Sequence, residues 1–583
     1  RAPGRVSTRR TLVAELVGRG RGLAARPAFE QGRPIALSRQ ARARARIGDL
    51  VTLSLKGRGA TVVQIHGRAD DPRAVLEVLL LDAGRRRRFS RTALEEAEAP
   101  AGAEVADDPG RRDLREQPVV TIDPEGAKDH DDAVAIERRN GGYRLYVHIA
   151  DVARFVAPGG ALDREAALRC FSAYVPGTVD PMLPADLSAD ACSLRAGVDR
   201  GVVTAEMDIS AEGVVIGARF YRALIHSDRD LTYPEVDAYF DGRPLGDPRL
   251  ERVIDTARAA AALLREVRMA RGALEIDSGE SRFVFDEHGV ADVHVETQTE
   301  SHRLIEEFMI AANEAVARHL ERRGQPAIFR VHDDPDQSDL ERLYSQLEAL
   351  GVATPPLAEG PLTGEQRRAA AVRAARAVAK GGHGGAGERS LGVMVLRSLK
   401  QARYSTECLG HSGLASAAYL HFTSPIRRYP DLLVHRALLA TLEGSEPVPG
   451  PRELSEAAFA CSEVEREIAG LERTADRICT GLLLARRMEA GELPARFEGE
   501  VVGMVGGGVF VAFGPAYEGF LPARAIGDEY FSMDPLEVAL IGERTGRRLM
   551  LGDTVDVAIA SVDPLRGRVD LEPCDGEPRR RRR

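Results

Sequence analysis

No run of 18 apolar residues occurs in the 583-residue chain, which excludes a conventional membrane-spanning helix. No signal-peptide pattern opens it either, so the expectation is a soluble, cytoplasmic protein. The six cysteines (Cys170, Cys192, Cys408, Cys461, Cys479 and Cys574) contain no C-x-x-C spacing. That argues against a zinc ribbon or a disulfide framework and for buried thiols in a reducing compartment. A serine-hydrolase elbow is also missing: Gly410-His411-Ser412-Gly413-Leu414 lacks the second glycine in register for G-x-S-x-G. The net charge of −9 speaks against a nucleic-acid binder that uses its whole surface. Charge is unevenly spread, however. Residues 1–46 hold twelve arginines against Glu15 and Glu30, a balance of +10, and the chain ends in Arg579 to Arg583. Such ends suit phosphate-attracted arms, and for the last five residues a solubilising tail is an equal alternative.

What is present points elsewhere. At 44% hydrophobic content the chain is globular, and its length predicts three or four domains. One stretch concentrates charge: Thr121-Ile-Asp-Pro-Glu-Gly-Ala-Lys-Asp-His-Asp-Asp-Ala133 places Asp123, Asp129, Asp131 and Asp132 within ten residues. β-branched residues precede it and Ala133 to Ile136 follow, then Tyr143 to Ala150 alternates as a strand. The acids are therefore predicted on a turn between buried strands. Clustered carboxylates in a cleft repel and call for a counter-charge, and Mg²⁺ takes such oxygen ligands together with substrate phosphates. A pair of ions there could activate water for phosphoryl displacement. A solvated acidic turn is the plain alternative. A Ca²⁺ loop is not, because no start among these aspartates gives Gly at the sixth and Glu at the twelfth position.

Other segments place partners around this turn. Residues 1–27 read as a basic arm, with a candidate strand inside it at Thr11 to Val17. Residues 28–97 read as a cold-shock-like oligonucleotide-binding barrel, and 98–113 as a linker. Ala74 to Leu80 fits strand or helix. Residues 114–490 form a large mixed α/β region closed by long helices. Residues 495–573 again show a five-strand barrel pattern, and 574–583 a basic tail. Tyr174 stands on the proline-punctuated loop Cys170 to Pro184, as a base-stacking platform or a core aromatic. Ser301 to Val316 is an amphipathic helix carrying Glu306. In His421-Phe-Thr-Ser-Pro-Ile-Arg-Arg-Tyr-Pro-Asp-Leu432, Pro425 predicts a helix start capped by Thr423 or Ser424. Arg427 and Arg428 would then sit in its first turn, a phosphate site or a salt-bridged helix start.

Together these motifs resemble the ribonuclease II / ribonuclease R family, and the ribonuclease R branch more closely. The resemblance runs from about residue 28 to 573. It rests on the acid stretch, on S-x-Y-V-P at 172–176, S-H-x-L-I-E-E-F-M at 301–309, L-K-Q-A-x-Y at 399–404 and the 421–432 run. E-G-F-L at 518–521, G-E-R-T-G-R-R at 542–548 and L-G-D-T-V at 551–555 resemble the S1 domain of that branch. The resemblance implies a multidomain α+β chain with an N-terminal barrel, an RNB catalytic domain and an S1 barrel. It implies a monomeric, processive 3′→5′ hydrolytic exoribonuclease acting on single-stranded RNA, without DNA hydrolysis and without a membrane. Mg²⁺ would be the cofactor, with Mn²⁺ as an alternative. Carried over by position, the four aspartates bind metal and position water, Arg427 grips the scissile phosphate, and Tyr174 packs on the terminal nucleotides. Glu306 lies near the last ribose, and Arg428 joins the RNA contacts. Two departures stand out. Ile276 occupies the place of a second aromatic clamp, and Gly507 that of a surface aromatic of the S1 barrel, which predicts a weak RNA grip there. A catalytically silent RNA-binding regulator and a phosphodiesterase for DNA or small nucleotides are the competing readings.

Overall fold

The computed structural model describes residues 11–19, 22–37, 45–56, 59–85, 88–101, 110–276, 279–381, 387–443 and 449–574. Residues 1–10, the glycine-rich residues 382–386 and the tail at 575–583 lie outside the described residues. The first module is a five-stranded antiparallel sheet: β1 (Thr11–Arg19), β2 (Gly22–Pro27), β3 (Ile35–Ala36), β4 (Asp49–Lys56) and β5 (Gly59–Arg68) in the order β3-β2-β1-β4-β5. This corrects the arm expected over 1–27. Ala14 and Leu16 are fully buried from β1, and the strand pairs with both β2 and β4. The apolar alternation inside an Arg-rich segment was enough to build a central strand. Residues 74–80 are helical rather than extended. Asp71 accepts a hydrogen bond from the Arg73 amide and Pro72 opens the helix, fixing α1 (Pro72–Asp82). The expected linker is also shorter, because α2 (Arg91–Ala101) reaches into it and β6 (Arg112–Asp113) closes it.

The large central region is built on β7 (Val119–Asp123), β8 (Asp132–Arg139), β9 (Gly142–Ala150) and, further on, two long strands. Between them lie α3 (Ala161–Arg169) and the hairpin β10 (Ala173–Val175) with β11 (Thr178–Asp180). The long strands are β12 (Asp199–Ser210) and β13 (Val215–Thr232). The order β12-β9-β8-β7-β13-β6 curls on itself, because β13 pairs with β12 over its first part and with β7 over its last. The helices α4 (Tyr233–Phe240) and α5 (Pro248–Ala270) follow, then the hairpin β14 (Glu280–Asp286) and β15 (Gly289–Glu296), and α6 (Glu300–Arg323). Phe308, Ala312, Val316 and Leu320 recur at helical spacing on α6 and are fully buried in the main core. Next come β16 (Phe329–Val331), α7 (Gln337–Ala349), α8 (Gly364–Gly381), α9 (Glu388–Arg397), β17 (Arg403–Ser405) and α10 (Tyr429–Glu443).

Helix α11 (Pro451–Ala490) has 40 residues, about 60 Å at 1.5 Å per residue. Its apolar positions from Leu471 to Leu484 share one core with α1 and with the C-terminal barrel. That barrel comprises β18 (Phe497–Val505), β19 (Gly508–Phe513), β20 (Tyr517–Pro522), the short α12 (Ala523–Ile526) and a side sheet of β21 (Phe531–Met533), β22 (Ala539–Gly542) and β23 (Arg548–Met550). β24 (Thr554–Asp563) and β25 (Arg568–Pro573) complete the closed order β18-β19-β20-β25-β24. Gly481 is required where α11 meets it: a Cβ there would lie 2.9 Å from Pro564 Cα. No helix of the described residues is long and apolar enough to cross a membrane.

Candidate active site

The acid stretch forms a turn between β7 and β8, as the apolar flanks dictate. Ser193 fixes its shape: its hydroxyl donates to the Lys128 carbonyl at 2.7 Å and accepts from the His130 amide at 3.1 Å. Gly126, at φ +81°, supplies the left-handed residue of the turn. Asp123 ends β7 and accepts from His130 Nδ1 at 2.7 Å. Burial works against charge on that imidazole, but the hydrogen bond and charge of Asp123 prevail and raise its pKa.

Asp131 is buried, 4% exposed. Its Oδ1 accepts the Ile426 amide at 2.8 Å, and its Oδ2 lies 3.6 Å from Arg427 Nε without a hydrogen bond. Asp129 Oδ2 accepts the Tyr174 hydroxyl at 2.7 Å. The structure thus brings Asp129, Asp131, Arg427 and Tyr174 together from three distant parts of the chain. The Tyr174 hairpin is itself held: its amide donates to Glu472 on α11 at 2.9 Å. Arg85 donates to the carbonyls of Arg169 and Phe171 just before it.

The helix expected to start at Pro425 begins at Tyr429 instead. Residues 425–427 form a turn, because the Ser172 amide captures the Arg427 carbonyl at 3.0 Å and the Tyr429 amide reaches Cys170 O at 2.8 Å. Pro430 then falls in the first turn of α10. The two arginines separate in role. Arg427 is half-exposed beside Asp131, with Ser424 Oγ 3.2 Å from Nη2. Arg428 turns inward and forms two hydrogen bonds to Asp431, at 2.9 and 2.7 Å, so it braces the turn. Glu306 makes no hydrogen bond to the four aspartates among the described residues. It lies 3.9 Å from Arg268, whose tight partner is the buried Glu307. Burial raises the Glu306 pKa against the pull of Arg268.

Sequence reasoning assigned no role to His130, Ser193, Tyr233 or His302. The Tyr233 ring stacks on His302 at 3.7 Å between centroids, and His302 stands one turn before Glu306 on α6. Burial, then the charges of Asp132 and Asp123, raise the Tyr233 pKa, so this residue borders the acids. The legible signal was Thr232-x-x-Glu235, a capping box with both bonds formed.

The acids carry excess negative charge. Burial lifts the Asp131 carboxyl well above its usual range, with Arg427 and the Ile426 amide opposing. Burial and then Asp123 push Asp132 up to about 7. Among the described residues no group of three or more His, Cys, Asp or Glu side chains is closed around one ion position. The donor chemistry nevertheless suits a hard cation: every ligand is a carboxylate oxygen, and the buried Asp131 Oδ2 lacks a hydrogen-bond partner. A sign follows for stability. A carboxyl whose folded pKa exceeds its unfolded value binds a proton more tightly in the fold, so ionisation costs stability as pH rises. For Asp132 the loss spans its ordinary value to about 7. Metal-free protein is therefore expected to gain several degrees in Tm on adding Mg²⁺ at about pH 8, and little at about pH 5. Scanning calorimetry with and without chelator checks this; an equal gain at both pH values contradicts it.

An acid turn faced by an arginine and a tyrosine, on a chain with a five-stranded antiparallel sheet before it and a closed five-stranded barrel after it, is consistent with the nucleic-acid phosphodiesterase class. The comparisons specify it. The RNB domain family matches residues 111–444 and the S1 RNA binding domain family residues 492–572. Ribonuclease R of Thermotoga maritima is 36% identical over 540 residues, covering 88% of this chain and 72% of the relative. Ribonuclease R 1 of Lactococcus lactis is 34% identical, covering 88% of this chain and 63% of the relative. RNase R of Mycoplasma genitalium, solved in apo form, matches with a TM-score of 0.87 at 25% identity, covering 97% of this chain and 89% of that one. Its complex with ribose-methylated single-stranded RNA has the same fold, with a TM-score of 0.87 at 24% identity over the same shares. The chain belongs to the RNB family of ribonuclease R-type exoribonucleases.

Proposed function

We propose that the chain hydrolyses single-stranded RNA processively from its 3′ end, releasing 5′-mononucleotides, with Mg²⁺ (or Mn²⁺) bound by Asp123, Asp129, Asp131 and Asp132. The observation that carries this is the convergence of Asp131, Arg427, Asp129 and Tyr174 on one turn. When bound, the metal lowers the pKa of a water and offsets charge on the phosphoryl oxygens. The chain's own residues do the rest. Arg427 presents N–H donors to the scissile phosphate and stabilises its developing charge. Tyr174 offers a ring face to the terminal base, while its hydroxyl, bonded to Asp129, ties that base to the acid turn. Glu306 serves the ribose of the last nucleotide, the group that separates RNA from DNA. Ile276 supplies an apolar wall rather than a stacking ring.

Besides Gly507, the barrel carries two adjacent aromatic rings. Phe510 and Phe520 are half-buried neighbours, 5.3 Å between centroids, and a Cβ on Gly507 would lie 3.9 Å from the Phe520 ring. They are read here as the stacking platform. The Phe510→Ala/Phe520→Ala pair is expected to weaken RNA binding by about 1–3 kcal/mol per lost base contact, seen as a filter-binding shift. Unchanged affinity contradicts the platform.

The function itself is tested with 5′-labelled RNA and matching DNA, with and without Mg²⁺. Metal-dependent conversion of RNA alone to a very short labelled remnant, with few long intermediates, is expected. A retarded but intact RNA band favours a silent binding protein.

A further inference from the structure

A cleft of about 810 Å³ opens between the end of α5, His332 to Asp334, helix α8 and the segment from Cys408. None of its lining residues belongs to the acid turn or its partners. Its walls carry four guanidinium groups. Arg368 is engaged by Asp334 at 2.8 Å and Arg271 by Glu314 at 2.9 Å. Arg373 and Arg376, neighbours one turn apart on α8, have no carboxylate within ion-pair distance among the described residues. Both also line an adjoining cleft of about 580 Å³ beside Val352 and Pro355, so they stand on the wall between two open volumes.

The floor is different in kind. The His332 and His411 rings lie 5.0 Å apart at 62°. The Gly413 amide donates to His332 Nδ1 at 3.0 Å and the Leu414 amide to His411 Nδ1 at 3.3 Å. A main-chain amide only donates, so each Nδ1 is the bare nitrogen and each neutral ring carries its hydrogen on Nε2. Burial, first, keeps His411 neutral. The cleft thus combines two guanidinium groups that no carboxylate engages, Arg373 being hydrogen-bonded to the Tyr344 side chain, with neutral rings. Glu365 supplies an acceptor for hydroxyl or amino groups, as does Asp333, which Arg403 also engages at 3.3 Å. Arginine forks match a phosphate, and imidazole faces match a planar base. The size suits a small ligand.

We propose that this cleft binds a nucleoside 5′-monophosphate, its phosphate on Arg373 and Arg376 and its base against His332 and His411. The nucleotides released by the proposed hydrolysis are one source of such a ligand; that source, unlike the cleft, rests on the reading above.

The test is calorimetric titration of the full chain with 5′-AMP, inorganic phosphate and adenosine in chelator, where the unneutralised acid turn repels anions. Saturable 5′-AMP binding is expected. The Arg373→Gln/Arg376→Gln pair should weaken it by about tenfold or more, while Arg427→Ala leaves it unchanged. The Gln pair should keep its unfolding temperature and its rate on RNA. An Arg373→Lys/Arg376→Lys pair, keeping charge but losing the fork, should fall between. Unaltered affinity in the Gln pair, or adenosine binding as tightly as 5′-AMP, overturns the site. Inorganic phosphate binding as tightly as 5′-AMP overturns the nucleotide assignment. Because the titration is read separately from hydrolysis, 5′-AMP binding with inert RNA would sink only the exonuclease reading.

Discussion

Asp131→Asn is expected to abolish RNA hydrolysis, by about 10³-fold or more in kcat, while RNA affinity stays within about twofold of the parent. Asparagine keeps the shape and the carbonyl oxygen that accepts the Ile426 amide at 2.8 Å, so the turn at 425–427 should hold. What disappears is the charge on Oδ2, the buried oxygen left without a hydrogen bond beside Arg427. Binding survives because the RNA contacts proposed for Tyr174, Arg427 and the barrels do not depend on that charge. Folding should not suffer either, since burial disfavours the ionised form. Retained turnover would remove Asp131 from the reaction; lost binding would mean that the acid turn organises the RNA path as a whole.

Arg427→Ala should cost about 10²–10³ in kcat with a smaller change in KM, the size found when one preorganised charge donor is removed. Arg427→Lys should recover only part, because a single ammonium cannot reproduce a guanidinium fork. A second readout separates a catalytic from a structural role. Arg427 holds down the proton affinity of both Asp131 and Asp132. Without it the acid limb of the pH–rate profile should move to higher pH, measured in single-turnover RNA degradation. Arg428→Ala is the contrast. It strands the fully buried Asp431, which Arg428 holds through two hydrogen bonds, so the loss should be about 3–5 kcal/mol of stability. A chain whose rate falls in proportion to its folded fraction for Arg427→Ala as well would contradict the division between the neighbours.

Much of this was legible in the residues. Four carboxylates in ten positions between apolar strands could only be a turn, and S-x-Y-V-P marked the aromatic hairpin. The errors were local competitions. Pro425 looked like a helix opener, but the main chain at Arg427 is captured by Ser172, and Pro430 opens the helix instead. The strand at Thr11 to Val17 was legible, but the arginines at 1–46 hid that β1 is a buried central strand of the first sheet. His130, Ser193 and Tyr233 escaped because their roles depend on partners 7, 65 and 69 residues away (Asp123, Lys128 and His302), which periodicity cannot report. Phe510 and Phe520 were not legible as a pair, because they meet only once β19 pairs with β20.

Helix α11 bears on how the molecule can be divided. The match to the S1 family begins at residue 492, which invites excision there. Yet Leu471, Ala475, Ile478 and Leu482 on the preceding helix share one core with the barrel's Val501, Val511 and Leu571, and Gly481 lies against Pro564. Cutting at that boundary would lay bare an apolar stripe on the very helix whose Glu472 secures Tyr174. The barrel and the Tyr174 hairpin are thus not independent cassettes. Grafting this barrel onto another nuclease means transplanting its helix as well, and a truncation that slows degradation reports on a disturbed hairpin as much as on a lost RNA grip.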